Sequence, residues 1–173
     1  MPLVSADLAS KIAAAFRKQR NVTSPTDVKS PKITAPLADD LGDAYHAYAS
    51  AALCSGMAAS GGSASKVSSA LKGANYFDGW EQGVKDYWDA VSFAGSGFIP
   101  KNPASSSGIS GLKSDVRALL ASPAGTASAT IPMEIDAFAT KLAGILDTHT
   151  KQATVLTTTT STPPVVVAKA SIS

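Results

Sequence analysis

Residues 132–173 read PMEIDAFATKLAGILDTHTKQATVLTTTTSTPPVVVAKASIS, and the change of period halfway along decides the fold class. Ile135, Phe138, Leu142, Ile145, Leu146 and His149 recur at spacings of three and four, which draws one apolar stripe along a helix. Pro132 suits a first helical turn, where its missing N–H costs nothing, and Thr130 can cap it. Beyond Ala153 the helical period stops. Residues 154–162 are almost wholly β-branched, and Val166, Ala168, Ala170 and Ile172 alternate with Val165, Val167, Lys169 and Ser171. Stiff, branched side chains in strict alternation belong to strands.

The expected architecture is mainly α: a helical domain of about five helices over residues 1–153, followed by an extended, β-forming C-terminal arm over 154–173. Val155, Thr157, Thr159, Val165, Val166, Val167 and Ile172 are the arm residues expected to make contacts. Pro163-Pro164 divides the arm into two strand-length pieces. A lone hairpin is marginal in water and exposes unpaired edges, so the arm needs a surface to complete it. That surface is either the protein's own helices or a neighbouring subunit. Strand exchange between subunits is the favoured reading, with the upstream helices folding without the arm.

Upstream, Ser5 is placed to cap a first helix whose stripe is Leu8, Ile12 and Phe16. Residues 21–35, with Pro25 and Pro31, read as a loop. A second helix is expected from Pro36 to Ala59, carried by Leu37, Leu41, Ala44, Tyr45, Tyr48 and Ala52 and stopped by Gly61-Gly62. A short helix can follow, with Val67 and Leu71 inward. Asp78 and Glu81 have capping-box spacing ahead of Trp80, Val84, Tyr87, Trp88 and Val91. Both tryptophans lie on that helix, so Trp80, Tyr87 and Trp88, with Phe138 and Leu142, are the expected core anchors. Residues 93–107 read as a Gly/Ser/Pro loop, and Ser110 as the cap of a helix bearing Leu112, Val116, Leu119 and Leu120. At an offset of 101, Leu37, Ala38, Leu41, Tyr45 and Ala52 align with Phe138, Ala139, Leu142, Leu146 and Ala153, which reads as two helices in similar packing roles.

Composition narrows the function classes. A net charge of +2 gives no pull toward nucleic acid or an anionic membrane. Only 16% of residues are charged, so Ala, Ser, Thr and Gly fill the surface, as suits a protein packed inside an assembly. The single cysteine, Cys54, excludes an internal disulfide and reads as a buried thiol. No basic-then-apolar leader opens the sequence and no window spans a bilayer, so synthesis in the cytoplasm is expected.

Chemical motifs are few. Asp39, Asp40 and Asp43 have the DDxxD spacing that can share a divalent cation with a diphosphate. They also sit in early helical turns, where the dipole favours acids without any metal. The stretch GISGLKS at 108–114 lacks the glycine a phosphate loop places directly before Lys-Ser, and Gly95-Ser96-Gly97 lacks the third glycine of a dinucleotide turn. His46 and His149 have no local ligand partners. Lys11, Arg17, Lys18 and Arg20 form the densest basic cluster but carry no interleaved aromatics. No enzyme activity, cofactor or metal is expected.

The order of segments PLADDLGDAYHAYASAAL, FDGWEQGVKDYWDAV, GLKSDVRALLAS and IDAFATKLAGILDTHTKQATV resembles small Ala-rich structural proteins of tailed, particularly contractile-tailed, bacteriophages. Trp80, Gly83, Tyr87 and Trp88 are its most specific part. The resemblance implies a virion component of the head–tail neck, connector or tail. Its partners would be other virion proteins and copies of itself in a ring or other symmetric homo-oligomer, and it brings no catalytic residues. A host-contacting or surface-displayed binding module is the alternative, and a small helical metal-dependent enzyme using Asp39, Asp40 and Asp43 a third.

Overall fold

Among the described residues the helical stripes of the sequence become six α-helices, and the stretches between and after them supply the strands of one small antiparallel sheet. The computed structural model describes residues 3–18, 34–54, 56–73, 76–94, 102–120, 132–158 and 166–172. The expected loop at 21–35 lies almost wholly outside these. Among the described residues no helix is long and apolar enough to cross a membrane.

Helix α1 (Ser5–Lys18) turns Leu8, Ile12 and Ala15 inward, with Asp7 in its first turn and Arg17 and Lys18 in its last, as its dipole favours. The Val4 carbonyl accepts the Asp7 and Leu8 N–H groups, so Ser5 lies inside the helix rather than capping it. Helix α2 (Ala35–Ala49) is capped by the Thr34 hydroxyl, which accepts the Leu37 N–H at 3.3 Å. It stops well short of the expected end at Ala59. After a three-residue turn, β1 (Leu53–Cys54) folds back onto β2 (Met57–Ser60). Gly56 makes that reversal at φ +81°, a backbone region costly for any residue with a Cβ. Alanine and serine tolerate either state, so this turn outweighs the helical bias of the stretch.

Ser63 caps α3 (Ala64–Leu71), and a 3-10 turn (Tyr76–Asp78) leads into α4 (Gly79–Asp89). The capping box expected from Asp78 and Glu81 does not form, because Asp78 already has helical backbone angles and makes no cap hydrogen bond. Trp80, Val84, Tyr87 and Trp88 all point into the core. The Trp88 indole N–H donates to the Tyr45 hydroxyl at 2.9 Å, and that hydroxyl bonds the Thr150 hydroxyl at 2.7 Å. One buried polar chain thus ties α2 and α4 to α6 (Pro132–Thr150), satisfying groups that would be costly to leave unpaired. Phe138 meets Phe16 and Phe77 edge-on, with centroids 5.4 and 6.1 Å away, while Leu142 is fully buried.

Where residues 93–107 are described, most of them are sheet rather than the loop expected from composition. Strands β3 (Ser92–Ala94) and β4 (Asn102–Ser105) pair antiparallel, Phe93 opposite Asn102, before α5 (Leu112–Leu120) begins. Pro103 and the Ser/Ala content hide β4 from any propensity argument. Its neighbours hold it as a strand: β3 on one side, β5 (Thr154–Thr158) on the other. The complete order is β1-β2-β3-β4-β5-β6, ending on β6 (Val166–Ser171).

Candidate functional site

Residues 154–158 and 166–172 do not extend away from the helices. Helix α6 ends at Thr150, and its closing turn delivers Thr154 to the edge of β4, with Ala104 opposite Val155 and Ser105 opposite Thr154. Strand β6 then returns along β5, pairing Thr154 with Ser171, Val155 with Ala170, Leu156 with Lys169 and Thr157 with Ala168. An irregularity between Thr157 and Thr158 shifts the register, so that Val166 faces Thr158. Val155 is fully buried and Ile172 nearly so, and both belong to the same core as the tryptophans. The expected arm residues therefore divide. Val155 and Ile172 pack inward, Thr157, Val166 and Val167 are placed in the hairpin, and Thr159 and Val165 lie outside the described residues. Pairing here is within the chain, since a strand tethered three residues from a helix end meets the nearest open edge at high effective concentration.

What the hairpin leaves exposed is its far side. Among the described strands β6 has one neighbour, so its other edge carries a row of backbone N–H and C=O groups with no strand against them. Large apolar side chains contribute little elsewhere: among the described residues Val4 is the one such side chain classed as exposed, at 41%.

The candidate acids Asp39 and Asp40 are engaged in ion pairs, and Asp40 and Asp43 line, with Lys11 and Lys18, an open groove between α1 and α2. Asp39 accepts from Lys72, which holds its carboxyl below the usual range. Asp40 takes Lys18 at 2.8 Å, while Asp43 adds a more distant field to the same lysine. Asp39 and Asp40 thus serve separate ties, to Lys72 at the end of α3 and to Lys18 of α1. Arg17 of the basic cluster reaches Asp136 at 2.6 Å, and Arg20 lies outside the described residues.

Asp78 and Glu81, missing as a capping box, act across to α5. Asp78 receives two hydrogen bonds from Arg117, both 2.6 Å, and Glu81 accepts the backbone N–H of Lys113 at 2.9 Å. The first-turn cap of α5 is therefore a carboxylate from α4, so the role expected of Ser110 falls to Glu81. This also accounts for GISGLKS: Gly111 turns at φ +79°, and the helix N-terminus that could meet a phosphate already meets Glu81. Gly95-Ser96-Gly97 lies outside the described residues.

The histidines sit in structural contacts. His46 Nδ1 lies 3.0 Å from the Tyr87 hydroxyl. His149 is buried, with Nε2 2.7 Å from Asp115 and Nδ1 3.2 Å from Gln152. Burial raises the Tyr45, Tyr48 and Tyr87 hydroxyls above the ordinary tyrosine range, and for Tyr48 the bond it donates to Asp147 adds to the effect. These phenols stay protonated donors at any ordinary pH. The roles of Asp89, whose carboxylate accepts both the Ser106 N–H (2.8 Å) and hydroxyl (2.9 Å), and of Gln152, whose side-chain oxygen accepts the Ser110 N–H at 3.4 Å, have no local sequence signature, because these partners lie 17 and 42 positions away. Comparisons with protein-family models, with curated proteins and with solved structures find no match.

Proposed function

We propose that this chain is a non-enzymatic structural protein that works inside an assembly, as a component of a tailed-phage particle in the head–tail neck or tail. The observation that carries the reading is the outer edge of β6, against which none of the described strands lies. An unpaired edge is an adhesive element that isolated proteins normally blunt. Here the only charge along it is Lys169. The ion pairs that lock Asp39, Asp40 and Asp78 to cations of neighbouring elements support the same reading, since those carboxylates serve rigidity. The resemblance to Ala-rich virion proteins supplies the setting.

Averaged electron microscopy of the particle, with this chain traced, tests the proposal. The expected result is a chain in the neck or tail whose β6 is continued by a strand of a neighbouring subunit. A chain absent from the particle, or present with its β6 edge facing solvent, overturns it.

A further inference from the structure

The 101-residue echo in the sequence is a repeat of structure. Helix α2 ends at Ala49 and β1 starts at Leu53; helix α6 ends at Thr150 and β5 starts at Thr154, each 101 positions later. The hydrogen bonds closing the two helices correspond one for one. Ser50, Ala51 and Ala52 donate to the carbonyls of His46, Tyr48 and Ala49; Lys151, Gln152 and Ala153 donate to those of Asp147, His149 and Thr150. Burial follows the same register: of the eighteen positions from 37 to 54, all but Asp40/Lys141 and Ala44/Ile145 share a burial class with their counterpart. Each corner then opens a hairpin, β1–β2 in the first unit and β5–β6 in the second.

Strand β6 is thus the counterpart of β2, and the two differ in one respect. The outer edge of β2 is paired antiparallel by β3, with Ala58 opposite Ala94, Ala59 opposite Phe93 and Ser60 opposite Ser92. The outer edge of β6 has no strand against it among those described. We infer that a second copy of this chain fills that place, the β6 strands of two copies pairing antiparallel about a two-fold axis. The argument rests on the assembly reading of the same edge and names its partner. The repeat specifies the orientation, antiparallel, and an antiparallel edge is complementary to itself under a two-fold. Charge restricts the register: any centre other than Lys169 keeps the two lysines from facing each other.

The test uses the full chain with Cys54→Ala, so that a spin label can be placed at Lys169→Cys alone. Sedimentation should show a dimer, and the two labels should lie within roughly 20 Å, since facing residues on paired strands are about 5 Å apart and each step of offset adds about 3.4 Å. Val167→Pro and Ala168→Pro provide the control, because neighbouring N–H groups on a strand point to opposite edges. One variant should dissociate the dimer with its melting unchanged, and the other should lower the melting temperature by breaking the bond to β5. A monomer at all concentrations, labels farther apart, or association untouched by both prolines overturns the self-pairing. A monomer that still needs the β6 edge to enter particles would leave the assembly reading standing, while a β6 dimer whose disruption does not affect particle entry would remove that reading instead.

Discussion

Trp88 is the side chain whose loss should be felt furthest. Its ring is fully buried and stacked on Phe93 at 9°, and its N–H holds the Tyr45 hydroxyl. Trp88→Ala should cost about 3–5 kcal/mol in a denaturant melt, and Trp88→Phe about 1–3 kcal/mol from the lost donor and ring area. An unchanged midpoint for the alanine variant would show that the aromatic cluster is not the core. At the same scale, Arg117 holds the Asp78 carboxyl below its ordinary range, while Lys85, aided by the Lys113 N–H, does the same for Glu81. A carboxylate lowered in the folded state adds stability above its unfolded value and loses it as the pH falls through the folded one. Melting temperature should therefore drop on acidification below about pH 4. Asp78→Asn should make that drop shallower while lowering stability at neutral pH. Because Arg117 is exposed, solvent screening keeps the effect small. An identical acid slope in the variant would dismiss the pair as a contributor.

At the scale of elements, two glycines set how closely α3 can lie against its neighbours. A Cβ on Gly42 of α2 would stand 2.7 Å from the Ala64 carbonyl oxygen, and one on Gly83 of α4 would stand 2.9 Å from the Val67 Cα. Both obstacles are backbone, which cannot rotate away. Gly83→Ala should therefore destabilise by about 1–3 kcal/mol despite its better helix propensity; a stabilised variant, read by calorimetry, would show that α3 can shift outward freely. The helices themselves were legible, because Leu37, Leu41 and Tyr45, or Trp80, Val84 and Tyr87, write their period directly into the chain. The short strands were not. Met57-Ala-Ala-Ser60 and Asn102-Pro-Ala-Ser105 contain no β-branched residue, and only their neighbours in the sheet make them strands. Asp78 and Glu81 had the right spacing for a cap and the wrong target, since the helix they secure begins some thirty residues on. Of the candidate site, the β character of residues 154–172 could be read locally, whereas its pairing with β4 depends on where α6 sets it down.

For the whole molecule, the hairpin's place in the core changes what removing it should do. Truncation after Ala153 would strip Val155 and Ile172 from the core and bare the long edge of β4. The expected product melts at a lower temperature and less cooperatively by circular dichroism, and Val155→Ala alone should cost about 1–3 kcal/mol. A truncated chain that melts like the full one would show the helices to be self-sufficient. The sheet order has a further consequence for the chain's birth. Strand β4 is synthesised well before β5, so during translation the growing protein carries an open strand until residues 154–158 emerge to cover it. Completion of this sheet is therefore tied to the arrival of the residues that follow α6, far downstream of β4 in the chain. A messenger cut before that point would yield a chain with the β4 edge bare, prone to clump with its siblings and lacking the β6 strand through which two copies are proposed to join.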